Sequence, residues 1–197
     1  MRWTWSVACT AFLMLLGMLL SAASAGAGSV DWTTLFAGEV VLETVQRPDG
    51  LPGLRASFVV GAPRERIWTV LLDYAHFPKI FPGIHAIRVL TNDQQGAQVE
   101  YWVKALVSKY HYVLYRRYDE PGRRLTWTRV AGDLKRIEGS WEIHDTPRSD
   151  VQMLVYESYI DIGGVVPKVL VRAEAMRKAR EMSERLRHWI EGHPMPD

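Results

Sequence analysis

The chain has 197 residues, 24 Lys+Arg against 22 Asp+Glu, and a single cysteine. That length fits one main domain with a core large enough to surround a cavity. So even a charge balance argues against a nucleic-acid binder, which draws on a broad positive field, and one thiol excludes an internal disulfide framework.

Residues 1–25 read as a signal peptide: Arg2 supplies a positive start, Val7 to Leu20 is apolar and uncharged, and Ala23-Ser24-Ala25 has the small-x-small pattern of a cleavage site. An apolar run of 14 residues is short of the roughly 20 a membrane span needs, so cleavage and export to a periplasm or beyond are expected. Cys9 lies within this segment, and no thiol would remain after cleavage. Residues 26–37 then form an N-terminal extension, 38–191 the main domain and 192–197 a tail.

Within 29–37 a helical turn is expected to tuck Trp32, Leu35 and Phe36 against the body. GEVVLETV (38–45) and LRASFVV (54–60) read as strands around a turn-rich loop, QRPDGLPG. Pro63 suits the first turn of a helix whose buried side is Ile67, Trp68, Leu71 and Leu72. Pro78 and Pro82 bracket a second, very short helical piece carrying Phe77, Ile80 and Phe81. Six further strands follow, at 85–90, 98–107, 110–118, 123–130, 134–143 and 151–160, separated by short polar turns as in an antiparallel meander. The chain closes with a long helix from about Pro167 to Ile190. Val169, Ala173, Met176, Ala179, Leu186 and Ile190 form its apolar stripe.

Strand parity sorts the side chains of the meander. With Ser108-Lys109 as a two-residue turn, Tyr101 pairs with Arg116 and Val107 with Tyr110. One face then carries Tyr101, Val103, Tyr110, Tyr112, Leu114, Arg116, Tyr118, Leu125, Trp127, Arg129, Ile137, Trp141 and Ile143. The other carries Lys104, His111, Arg117, Thr126, Thr128, Arg136, Glu138, Ser140 and Glu142, so the first is the covered face. A buried arginine needs a partner. Glu157 is the expected one if the last strand turns Val151, Met153, Val155, Glu157 and Tyr159 inward, although that strand is apolar on both parities. Two readings of Arg116 stand side by side, a cationic anchor for a ligand's carboxylate or phosphate head and a structural ion pair.

Two strands, two short helices, a meander and a long final helix follow the helix-grip order. Through "GAPRERIWTVLLDYAHFPKIFPGI", "GDLKRIEGSWEI" and "IDIGGVVPKVLV" the chain resembles the START-like superfamily of the birch pollen allergen, polyketide cyclases and coenzyme Q-binding START proteins, over about residues 38–190. The resemblance implies an α+β fold in which a curved antiparallel sheet of about seven strands wraps around the C-terminal helix, with two short helices after the first strand. It also implies a cavity that binds a hydrophobic small molecule or lipid. Tyr101, Tyr112, Leu114, Arg116, Trp127, Arg129, Trp141, Glu157 and Met176 are the candidate ligand-binding residues.

The expected function is a monomeric exported carrier or sensor without cofactor. The alternative is a cyclase- or hydrolase-type enzyme drawing acid–base groups from Tyr101, Arg116, Glu157 and Lys135. Ser140 lacks the G-x-S-x-G elbow. The six histidines show neither helix-spaced pairs nor cysteine company, so no metal site is expected. Arg172, Arg177, Lys178, Arg180, Arg185 and Arg187 allow transient contact with an anionic membrane surface. Glu174, Glu181 and Glu184 among them point instead to a solvated, salt-bridged face.

Overall fold

Eight extended segments of this chain become the strands of one sheet. A computed structural model describes residues 30–105, 108–163 and 168–193, without the side chains of 168–171. The expected signal peptide, Val107 with its pairing, and the Val169 side chain lie outside the described residues. In chain order come α1 (Trp32–Phe36), β1 (Val41–Gln46), β2 (Pro52–Val60), α2 (Arg64–Leu72), a 3-10 turn (Tyr74–His76) and α3 (Phe77–Ile80). Then follow β3 (Ile84–Asn92), β4 (Gly96–Ala105), β5 (Ser108–Glu120), β6 (Arg124–Gly132), β7 (Arg136–Asp145), β8 (Gln152–Asp161) and α4 (Lys168–Glu191).

The sheet is antiparallel throughout in the order β1-β2-β8-β7-β6-β5-β4-β3. Six consecutive strands pair with their neighbours, and β2 closes against β8, which brings the first and last strands of the sequence onto one half of the sheet. This is the expected α+β arrangement with two differences. There are eight strands, not about seven, one for each segment read as extended, with β1 at one edge of the sheet. The short helices accordingly follow the second strand.

Ile67, Val70 and Leu71 of α2 are fully buried, while Trp68 is half-buried and meets Tyr118 edge-on at 5.9 Å. Pro63 sits one residue earlier than expected, at the N-cap. Phe77, Ile80 and Phe81 of the proline elbow all enter the core. Gly83 ends the elbow at φ +90°, and a Cβ there would come 2.6 Å from the Lys104 carbonyl oxygen, so this close approach to β4 needs a glycine.

Ala179, Met182, Ser183, Leu186 and Ile190 form the buried stripe of α4; Met176 is half-buried and Ala173 is exposed. The sequence gives no warning of Ser183. Its hydroxyl donates to the Ala179 carbonyl at 2.8 Å, which lets a small polar residue sit in the core. Arg187 also leaves the expected solvated face. It donates to the carbonyls of Gly38 (2.7 Å) and Val59 (3.0 Å) and lies over Phe58, tying α4 to β2. Arg66 donates to the carbonyls of Trp189 and Ile190 at 3.4 Å, a cation at the negative end of the helix. The expected salt-bridged surface is present at Arg177, which meets Glu174 (2.9 Å) and Glu181 (3.2 Å).

Candidate ligand-binding face of the sheet

Residues opposite one another in an antiparallel pair share a face, so the register defines the inner wall. Val99 and Tyr101 of β4 stand beside Leu114 and Tyr112 of β5. Arg116 stands beside Trp127, and Leu125 beside Trp141. Trp141 and Ile143 face Tyr156 and Leu154 of β8, which in turn face Ala56 and Phe58 of β2. Aromatic rings dominate this wall. Tyr101 stacks on Tyr112 with centroids 5.4 Å apart, and Tyr156 lies between Trp127 (5.6 Å) and Trp141 (4.8 Å). Gly139, opposite Trp127, leaves room for the indole to lie flat across β7, because any Cβ there would collide with the ring.

Arg116 is the charge on this wall, with only 3% of its surface exposed. Its Nη2 donates to the Leu71 carbonyl at the end of α2 (3.2 Å), and the guanidinium packs against the rings of Tyr74 (4.9 Å) and Phe77 (5.0 Å). Nη1 is buried without a hydrogen-bond partner. Among the described residues no carboxylate pairs with it. Aromatic faces stabilise a cation through their quadrupoles, but they do not accept the hydrogen bond that Nη1 offers.

Phenols surround it. Burial pushes the Tyr101 hydroxyl up to about 12, against the pull of the neighbouring Arg116 charge and of its hydrogen bond with that guanidinium. Burial also raises Tyr112 and Tyr156 above the ordinary phenol value. Tyr74 donates to Tyr118 (3.0 Å), which donates to Asn92 Oδ1 (3.1 Å), a chain that ties the proline elbow to the rim of the sheet.

Of the expected site residues, Tyr101, Tyr112, Leu114, Arg116, Trp127 and Trp141 share the inner face, but their pairing differs from expectation. Ser108, expected in the turn, pairs with Ala105 as part of β5, and Tyr101 faces Tyr112 instead of Arg116. The partners move by four residues, an even number that preserves parity, so the faces are unchanged. Glu157 is a correction. With Tyr156 opposite Trp141, Glu157 falls opposite Ser140 on the outer face. There it pairs with Arg55 at 2.7 Å and hydrogen-bonds Tyr159, so it cannot be the partner of Arg116. The expected inward set of Met153, Val155 and Tyr159 turns outward with it. Arg129 shares the inner parity, opposite Leu114, but is exposed beyond the covered part of the wall and donates to the Gly132 carbonyl at 2.8 Å. Met176 lies with Leu42 in a surface groove of about 470 Å³ rimmed by Arg177, Arg180, Glu181 and Glu184.

Tyr74, Tyr156 and Ser158 are inner-side residues that the sequence reading passed over. Tyr74 is hidden in the elbow, and the other two sit on the strand whose parity was ambiguous. Among the described residues no three His, Cys, Asp or Glu side chains cluster as a metal site would require. His111 pairs with Glu100 at 2.7 Å and His76 with Asp73 at 2.7 Å. No described helix is long and apolar enough to cross a membrane.

A family model described as polyketide cyclase / dehydrase and lipid transport matches residues 60–187, more than half of the chain. No curated protein sequence matches it. The STAR-related lipid transfer protein of Xanthomonas axonopodis is similar in structure at a TM-score of 0.64 and 17% identity, covering 78% of this chain and 98% of that one. Human StAR-related lipid transfer protein 5 reaches a TM-score of 0.62 at 13% identity over 79% and 83%. The Zhui aromatase/cyclase from a Streptomyces species reaches 0.57 at 16% identity over 77% and 93%. At such identities the likeness to these structures is one of fold. Together with the family match, it places the chain in the START-like superfamily, as a member of the polyketide cyclase / dehydrase and lipid transport family.

Proposed function

We propose that this protein is an exported carrier or sensor that holds a hydrophobic small molecule or lipid against the inner face of its sheet, with the ligand's polar head on Arg116. The observation that carries the reading is the buried guanidinium with an unpaired Nη1 and no carboxylate beside it. A buried donor left unsatisfied costs about 1–3 kcal/mol, and a ligand carboxylate, phosphate or carbonyl would recover that cost. The aromatic wall supplies the apolar contact, at roughly 0.8 kcal/mol per buried methylene. Export rests on Arg2, the apolar run Val7–Leu20 and the Ala23-Ser24-Ala25 pattern. The family match and the folds of the lipid transfer and aromatase/cyclase neighbours fit this reading. A carrier is favoured over a cyclase-type enzyme because burial holds the Tyr101 phenol near 12. At neutral pH that suits a fixed hydrogen-bond donor better than a group exchanging its proton.

Native mass spectrometry of the protein purified from its own cell envelope tests the proposal. The expected result is a polypeptide mass starting after Ala25 with a stoichiometric apolar adduct that Arg116→Met loses. An adduct kept in full by Arg116→Met would overturn the anchor. Conversion of the adduct to a new mass on incubation would favour the enzyme.

A further inference from the structure

The two edges of the sheet are not alike. On β3 the register shifts twice, between Ile84 and Ala86 and between Val89 and Thr91, and the exposed Arg88 stands between the shifts. Bulges and edge charges of this kind keep a strand from pairing with a neighbour. At the other edge β1 holds an unbroken register with β2 from Val41↔Ser57 to Gln46↔Pro52, contains no proline and carries one charge, Glu43. Its outer row of backbone groups meets no other strand among the described residues. Beside it runs the groove of about 470 Å³ that Leu42 of β1 and Met176 of α4, both half-buried, help to line. A regular, unblunted edge next to a partly apolar groove is a site for strand pairing.

The rim of the groove indicates what pairs there. Arg177, Arg180, Glu181 and Glu184 follow one flank of α4, and their signs invert about the midpoint between Arg180 and Glu181. Within one helix this order is the weaker one, because a base placed four residues ahead of an acid stabilises less than the reverse. Between two antiparallel copies each arginine meets a glutamate: Arg180 faces the partner's Glu181, and Arg177 the partner's Glu184. We propose that the protein is a homodimer in which β1 pairs antiparallel with β1 of a second copy, joining two eight-stranded sheets into one. A two-fold axis normal to the sheet keeps both covered faces on the same side and runs the two α4 helices antiparallel across the seam, the orientation that the charge order requires. Leu42 and Met176 of both copies then close the groove. The dimer stands independently of what the inner face carries, and it replaces the monomer expected from the sequence.

Sedimentation velocity of the purified protein over a range of concentrations tests the proposal, together with hydrogen exchange of the β1 amides. The expected result is a concentration-dependent species of twice the monomer mass, with the amides of Val41–Gln46 gaining protection as it forms. Arg180 is exposed, so Arg180→Glu leaves the fold intact while setting like charges against each other at two symmetry-related contacts. It should weaken the dimer about tenfold. Adding Glu181→Arg to Arg180→Glu restores opposite charges across the seam and should recover most of that loss, a rescue that a change in the stability of one helix would not give. A monomer at every concentration, β1 protection that ignores dimerisation, or a dimer that is indifferent to Arg180→Glu or not rescued by the double exchange would overturn the proposal.

Discussion

Gly139→Ala probes the aromatic floor most directly. The added Cβ would sit 2.8 Å from Trp127 Cε2 and closer still to Cζ2 and to the Glu157 carbonyl oxygen, below the 3.0 Å that real Cβ atoms essentially respect. One obstacle is backbone of the paired strand β8 and the other a buried indole stacked on Tyr156, so neither yields cheaply. Overpacking of this kind costs about 1–3 kcal/mol. With backbone on one side we take the upper end, about 3 kcal/mol, which for a domain of this size lowers Tm by roughly 6–12 °C. Thermal melts followed by near-UV circular dichroism read both the loss and the reorientation of Trp127. Gly61→Ala is the control, since its Cβ would meet nothing nearer than a Glu191 oxygen at 3.5 Å, and its Tm should stay within about 2 °C of wild type. A Gly139→Ala protein with wild-type Tm and an unchanged aromatic spectrum would refute the flat-lying indole.

Three further outcomes follow from other parts of the molecule. Hydrogen bonds from His111 and then Arg88 hold the Glu100 carboxyl below its ordinary 4.5. Its stabilising contribution is therefore complete above about pH 4.5 and is lost as pH falls through the lower folded value; Glu100→Gln should flatten that acid limb in denaturant titrations. Burial raises Tyr101 to about 12 from 10.0, so its contribution is complete below pH 10 and fades towards 12. Stopped-flow absorbance at 295 nm should show fewer late-ionising phenols in Tyr101→Phe, and an unchanged count would contradict its burial. Arg187→Met removes the two ties from α4 to Gly38 and Val59 and should lower stability by about 2–4 kcal/mol, at roughly 1.5 kcal/mol or more per charged hydrogen bond. Urea midpoints check this, and a midpoint equal to wild type would show that the ties are not structural.

The inner wall was legible on β4 to β7 because alternation there is clean, and because a hairpin misplaced by two residues still puts every side chain on its proper face. That tolerance has a cost: the true neighbour of Tyr101 is Tyr112, and nothing in the sequence favoured pairing Ala105 with Ser108 over a turn at the polar Ser108-Lys109. On β8 alternation fails. Met153 and Tyr159 are buried on the outer face while Leu154 and Ser158 are buried on the inner one, so hydrophobicity does not choose a parity. The loop from Thr146 to Val151 is too long to carry parity across from β7. Glu157 was misplaced for that reason, and Ser158 was overlooked for the same one. Arg129 shows a different limit. Parity says which way a side chain points but not how far along the strand the cover extends.

Arg187 and Arg116 hold their charges differently. Half-buried Arg187 sends Nε and Nη1 to backbone carbonyls of two segments that α4 must hold together, and it lies between glutamates that resist the lowering of its pKa by burial. Fully buried Arg116 has one carbonyl acceptor, the Tyr101 phenol and two rings, with no carboxylate near it among the described residues. A core selected for stability alone would replace such a group with a methionine of similar reach, since a buried charge without full pairing is commonly worth less than apolar packing. Places where local rules are broken without a compensating contact are where function is expected. Here the break falls on the wall between the elbow and the sheet, where a buried cation is met by one carbonyl, a phenol and two rings and by no carboxylate among the described residues.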